Sequence, residues 1–183
     1  MIFFSEITPD SRGYDFVERL FLSAFPDDER RPEADQRENV SFNPFMHCLL
    51  LTDVDDTPLG FLNYWSFDSF SYIEHFAIDP EFRNRGIGGE ALSTFLEMQH
   101  CPVVVEAELP TASPVALRRI GFYMRNGFVQ LSEPYLQPSY PGRDTEPVPM
   151  LLLLYAEEGK KHPSSRQMKM RIYQEVYGIM PAR

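Results

Sequence analysis

The chain has 183 residues, 43% of them hydrophobic, and 17 basic against 27 acidic side chains give a formal charge of −10. That apolar fraction, with 15 Phe, 9 Tyr and 1 Trp, excludes intrinsic disorder, and the length favours one domain that needs no disulfide or structural metal to fold. A pI near 4.8 and the lack of a basic block argue against nucleic-acid binding while leaving room for cationic partners.

The first ten residues carry no basic n-region, and the longest apolar run, Met150 to Tyr155, is far shorter than a membrane span. Cys48 and Cys101 lie far apart among apolar neighbours and read as core thiols. The expectation is a soluble, cytoplasmic protein of a reducing compartment. Val17, Leu20, Phe21, Ala24 and Phe25 step by three and four, which predicts an amphipathic helix with Ser11 as its cap and Pro26 at its end. Residues 27–43 are charged and lack a stripe; they read as a loop leading into a short helix. Apolar runs at 47–52 and 59–67, separated by a turn-rich cluster, predict a hairpin, and 70–78 predicts a third strand.

After Gly88 the period changes. Ala91, Leu92, Phe95, Leu96 and Gln99 share one helical face. Residues 102–108 read as a buried strand, 113–126 as a second helix through Ala116, Leu117, Ile120, Tyr123 and Met124, and 128–132 and 148–155 as closing strands. The stretch 133–149 between them is rich in Pro and Tyr and reads as a long loop of the kind that often carries function. The expected division is one domain over 1–157, then a linker and helix over 158–183. Met168, Ile172, Val176 and Met180 recur at helical spacing there, so the helix either docks on the domain or forms a homodimer contact.

The segment Phe76-Ala-Ile-Asp-Pro-Glu-Phe-Arg83-Asn-Arg85-Gly86-Ile-Gly88-Gly89 carries the chemistry. A strand ends, a short loop brings two arginines, and a glycine-rich turn enters a helix whose N–H groups and dipole favour an anion. This is a pyrophosphate cradle. It is neither a Walker A loop, which needs Gly-Lys-Ser/Thr, nor the dinucleotide fingerprint. A tight turn that only permits close helix packing is the competing reading.

Arg83-x-x-Gly86-x-Gly88 after a strand and before an apolar helix resembles the acetyl-CoA-binding motif of the GNAT superfamily of N-acyltransferases. Some forty residues on, Phe122-Tyr123-Met-Arg-Asn-Gly127-Phe128 is similar to that superfamily's second landmark. The resemblance implies a mixed, mostly antiparallel sheet flanked by helices, here with an extra C-terminal helix. It also implies two splayed strands that open a slot for pantetheine. By the same resemblance, backbone groups of Phe76, Ala77 and Ile78 would pair with the pantetheine amides. Arg83, Asn84, Arg85, Gly86, Ile87, Gly88 and Gly89 would hold the pyrophosphate of acetyl-CoA. One departure stands out: Ala116 occupies a position where the family often has Asn.

The implied reaction moves an acetyl group to a primary amine of a small molecule or peptide by direct attack in a ternary complex. A protonated amine must first lose a proton, and the departing thiolate gains from one. Tyr123 is the candidate acid. For the base, simple alternation puts Tyr72, Glu74 and Phe76 on one face of the third strand and Ile73, His75 and Ala77 on the other, unless a bulge intervenes. Glu74 is the first candidate, because a carboxylate in an apolar strand needs a cleft or a partner. A salt bridge to an arginine is its competing reading. His75 is the alternative base. Glu106 and Glu108, on one face of a later strand, could bind a cationic amine or share the role. Asp27-Asp28-Glu29-Arg30-Arg31 reads as a solvated loop near the acceptor, and Tyr135, Gln137, Tyr140 and Trp65 as candidate walls. His47, His75, His100 and His162 show no metal-ligand spacing, so no metal is expected. A non-catalytic acyl-CoA-binding module is the rival reading, sharing the cradle and separated by Glu74 and Tyr123.

Overall fold

The computed structural model describes residues 1–27, 29–157 and 159–179. Asp28 and Met180, both named above, lie outside them. The chain runs β1 (Phe3–Glu6), α1 (Tyr14–Ala24), α2 (Glu33–Phe42), β2 (Met46–Thr52), β3 (Pro58–Ser66) and β4 (Ser71–Ile78). A 3-10 turn (Pro80–Phe82) leads to α3 (Ile87–Met98), β5 (Val103–Glu108), α4 (Pro114–Arg125), β6 (Val129–Gln130), β7 (Tyr135–Gln137), β8 (Val148–Tyr155) and α5 (Ser165–Glu175). The strands make one sheet in the order β1-β2-β3-β4-β5-β8-β6, with β7 also paired to β8. Every pairing is antiparallel except β4 with β5. This is the mixed, mostly antiparallel sheet flanked by helices that the resemblance implied.

The one parallel pairing is short. Ser71, Tyr72 and Ile73 pair with Val103, Val104 and Val105, and beyond them the two strands part. From Glu74 to Ile78, β4 keeps its β3 neighbour but has no ladder partner in β5. A bulge lies at the same point: Asn63 pairs with His75 and Tyr64 with Ile73, so Glu74 is an extra residue. The bulge corrects the alternation expected for this strand. Tyr72 and Ala77 join the hydrophobic cluster on one face of the sheet, where His75 contacts Phe21 and Phe25, while Ile73, Phe76 and Ile78 pack on the other.

Each face is covered by its own helices. One cluster joins Val17, Leu20 and Phe21 of α1, Val40 of α2 and Met168 and Ile172 of α5 to Trp65, Tyr72, Val104 and Leu152 of the sheet. The other joins Ala91, Leu92 and Phe95 of α3 and Ile120 and Tyr123 of α4 to Leu62, Ile73, Val105 and Leu153. Burying a Leu or Phe side chain contributes about 1.5–3 kcal/mol, so these two layers hold the sheet from both sides. The C-terminal helix packs directly on the first layer. It begins with a capping box, in which the Ser164 hydroxyl accepts from Gln167 N while the Gln167 side chain accepts from Ser164 N.

Local signals failed at a few places. Gly13, not Ser11, sits at the α1 N-cap in the left-handed region, and Ser11 Oγ instead accepts from the backbone of Thr8. Strand β6 is only two residues long. Strands β1 and β7, of four and three residues, were not expected; both are too short to show alternation. No helix among the described residues is long and apolar enough to cross a membrane.

Candidate active site

The glycine-rich loop forms one end of the site. Asn84 and Gly86 both have positive φ, 62° and 82°, which turns the chain sharply into α3. Gly86 occupies the N-cap with no side-chain hydrogen bond, so the first-turn N–H groups of α3 are left for another acceptor. A Cβ at Gly86 or Gly89 would meet nothing within 4 Å; the space belongs to solvent or a ligand, not to neighbouring helices. Arg83 is anchored by its Nε, which donates to the Ile78 carbonyl at 2.8 Å.

This loop opens onto a slot of about 770 Å³ whose walls include Phe76, Ile78, Arg83, Asn84, Gly86, Gly88, Gly89, Phe122 and Tyr123. Arg118, Arg119 and Arg125 of α4 add positive charge along its wall. An uncapped helix start, open space over two glycines, four arginines and an unpaired β4 edge suit a long, polyanionic, amide-bearing ligand. Three of the expected contact residues stand off the slot wall. The Ala77 side chain packs on the opposite face, Arg85 lies over the Phe82 ring at 5.6 Å, and Ile87 packs into the core. Ala116 is fully buried, so its side chain offers nothing polar to the slot. Tyr123 is also buried, with its ring against Phe122 and Phe128, and burial pushes its phenol up to about 12 despite the opposing charge of Arg119. It therefore carries its proton throughout the neutral range.

A second, smaller cleft of about 200 Å³ lies across the sheet, walled by Phe25, Glu29, Glu74, His75, Glu106, Glu108, Gln137 and Tyr140 among others. Arg119 belongs to both walls, and the parting of β4 from β5 lies between them. Of the expected acceptor walls, Gln137, Tyr140 and Glu29 line this cleft. Trp65 does not; it is fully buried in the core.

The acidic residues of the cleft differ sharply. Both carboxylate oxygens of Glu74 are engaged: Arg31 Nη2 donates to Oε1 at 2.5 Å and Trp65 Nε1 to Oε2 at 2.7 Å. Burial alone would raise this carboxyl, but Arg31, His75 and these two hydrogen bonds outweigh it and hold the group below the ordinary range. The His75 ring is packed edge-on against Phe21 and Phe25, and a backbone hydrogen bond at Glu29 only partly offsets its burial. Burial drops its pKa to about 4, so it is neutral at pH 7. Glu108 accepts from Arg119 Nη1 at 2.8 Å.

Glu106 has a different environment. Its side chain accepts from the Tyr135 hydroxyl and, at 3.0 Å, from the Tyr177 hydroxyl, and among the described residues no ion pair reaches it. Burial raises it to about 7, with hydrogen bonds from Tyr135, Tyr72 and Tyr177 moderating the rise. Tyr177 was not foreseen. It comes from the C-terminal tail, 71 residues from Glu106, and no local pattern announces such a contact.

The profile of the acetyltransferase (GNAT) family matches residues 14–128, and the chain belongs to that family. It is an acyltransferase, and the family uses acetyl-CoA. A protein from Bacteroides thetaiotaomicron assigned to the GNAT acetyltransferases superposes with a TM-score of 0.86 at 35% identity, covering 97% of this chain and 99% of that one. Spermidine N-acetyltransferase from Vibrio cholerae, in complex with CoA and spermine, shares the fold at a TM-score of 0.62 and 9% identity, over 84% of this chain and 94% of its own. A GNAT acetyltransferase from Elizabethkingia anophelis with acetyl-CoA bound does so at 0.57 and 17%, over 85% and 98%. No curated protein sequence matches the chain.

Proposed function

We propose that this protein N-acetylates a primary amine of a small cationic molecule or peptide by direct attack in a ternary complex, with Glu106 as general base and Tyr123 as general acid. Acetyl-CoA, when bound, supplies the acetyl group on a thioester. Arg83, Asn84, Gly86, Gly88 and Gly89 hold its pyrophosphate end, Arg85 and Ile87 contributing through the backbone of the same loop. The free edge of Phe76, Ala77 and Ile78 takes up the pantetheine amides.

The observation that carries this reading is the environment of Glu106. A carboxyl whose pKa lies near 7 matches the working range of a general base, since it is partly ionised yet basic enough to take a proton. Glu74, held low by Arg31, is a much weaker base, and in this reading its role is structural. His75 at about 4 is equally unsuited. Glu106 takes the proton of the incoming ammonium ion, the amine forms the new C–N bond as the C–S bond breaks, and Tyr123 gives its proton to the departing thiolate; the second nitrogen proton, made acidic by the new bond, then leaves the amide and restores the Tyr123 phenol. The cleft's acid lining supports a cationic acceptor, and its modest volume favours entry of one amine-bearing arm. Arg119, shared by cleft and slot, neutralises Glu108 at their junction.

Thiol release from acetyl-CoA across a panel of amines is the direct test, with polyamines such as spermidine and N-terminal peptides as first probes. Glu106→Gln is expected to lower kcat by about 10²–10⁴, and Tyr123→Phe to lower it by a smaller factor in the same range. Full activity in folded Glu106→Gln would overturn the base assignment, and binding of acetyl-CoA without release for any amine would overturn the reaction.

A further inference from the structure

We infer that the C-terminal segment serves the active site: Tyr177, oriented by Gln137, is a positioning residue that fixes and stabilises the ionised form of Glu106. The inference rests on the reading of Glu106 as the base. Tyr135, Gln137 and Tyr177 all lie beyond residues 14–128, so the family profile does not include them.

The geometry is a chain of donors. Gln137 Nε2 donates to the Tyr177 hydroxyl at 3.1 Å, and that hydroxyl donates to Glu106 Oε2 at 3.0 Å. Because the phenol oxygen already accepts from Gln137, its single proton is directed at the carboxylate. Tyr177 is itself 4% exposed, and its ring lies 5.0 Å from that of Tyr140. It is held in place by α5, which the capping box starts and which Met168 and Ile172 seal against the sheet.

Among the described residues the groups facing Glu106 are mostly phenols, Tyr173 of α5 included. Tyr72 of β4 and Tyr135 of β7 supply further donors, and Tyr140 is near enough for the carboxylate to raise its phenol. Glu74 raises Glu106 by like charge, though Arg31 compensates most of that negative charge; Arg119 is committed to Glu108. No lysine or arginine pairs with Glu106 among the described residues, so neutral hydroxyls are what oppose burial. A lysine or arginine in their place would depress the group and spoil it as a base; no donors would leave it protonated. Three phenols leave it between these limits.

The test needs no acceptor. In full-length protein labelled with 13C at glutamate side-chain carboxyls, the Glu106 signal is identified by its loss in Glu106→Gln and titrated. Tyr177→Phe is expected to raise its midpoint by about one pH unit, the equivalent of one hydrogen bond to a charged group. Gln137→Met should raise it by less and add nothing on top of Tyr177→Phe, because both act through one hydroxyl. If Tyr177 merely packs, Tyr177→Phe lowers the melting temperature and leaves the midpoint unmoved, which overturns the inference. Should Tyr177→Phe fail to fold, an unmoved midpoint in Gln137→Met overturns it instead. Activity of Glu106→Gln is a separate readout: its retention removes the base reading but leaves the midpoint result standing.

Discussion

Glu74 and Glu106 are the same residue type on adjacent strands, yet their carboxyls are displaced in opposite directions. Arg31 and Trp65 pull one down; three phenols only partly restrain the other. The sequence shows that a glutamate inside an apolar strand needs a partner, but not which partner. Arg31 is 43 residues from Glu74, in a charged stretch that reads as solvated loop, and it is in fact fully buried with its guanidinium over Trp65 and Tyr140. Breaking this pair should be costly in a way that replacing it is not. Glu74→Gln is expected to destabilise the fold by about 3–5 kcal/mol by stranding the Arg31 charge, whereas Arg31→Met with Glu74→Leu should be close to neutral. Chemical denaturation of the two variants decides it, and equal losses in both would show that packing rather than charge is at stake. The sign with pH follows from the depressed carboxyl: its contribution is present above the unfolded carboxyl's ordinary value near 4.5 and is lost as pH falls through the lower folded value.

At the level of elements, what could be read from the sequence was what is built locally. The strand, glycine-rich turn and helix of the proposed cradle are contiguous, and so are α4 and its Phe-Tyr ending, so local period and the resemblance to the family were enough to mark them as elements. A bulge in this strand was allowed for but could not be placed at Glu74, because it is a property of pairing with β3 and leaves no mark on β4 itself. Nor were β1 and β7 legible, since their few residues take their extended form from β2 and β8. The cradle offers a clean test of its assigned role. Gly86 has φ 82° and ψ −9°, where an L side chain is strained by about 1–3 kcal/mol although the space around it is open. Gly86→Ala is therefore expected to raise KM for acetyl-CoA by about tenfold with kcat little changed, since in the proposed role the loop binds the cosubstrate away from the reacting atoms. A fall in kcat at unchanged KM would place the loop's contribution in the chemical step instead.

Across the whole molecule, whose net charge is −10, the slot and the cleft differ in the sign of the side chains that line them. Arg83, Arg118, Arg119 and Arg125 line the slot, and Glu29, Glu74, Glu106 and Glu108 line the cleft. Keeping an unpaired carboxyl in that cleft has a thermodynamic consequence. Glu106 is raised from 4.5 to about 7, so the folded protein binds a proton there that the unfolded chain releases. Stability linked to this group is fully present below pH 4.5 and declines as pH rises through 7, reaching a deficit of roughly 3 kcal/mol above it. His75 works at the other limb: neutral when folded and lowered from 6.5 to about 4, it costs stability as pH falls through that interval. Glu106→Gln removes the first effect alone, because an amide has no proton to bind or release. Its melting temperature should exceed that of the native protein at pH 8, and the difference should shrink steadily as pH falls and vanish below pH 4.5. A site that must be ionisable and buried is destabilising by its nature, and the neutral replacement exposes by how much. If Glu106→Gln melts lower than the native protein at pH 8, the carboxylate is net stabilising there, and Glu106 cannot be the raised carboxyl on which the general-base reading depends.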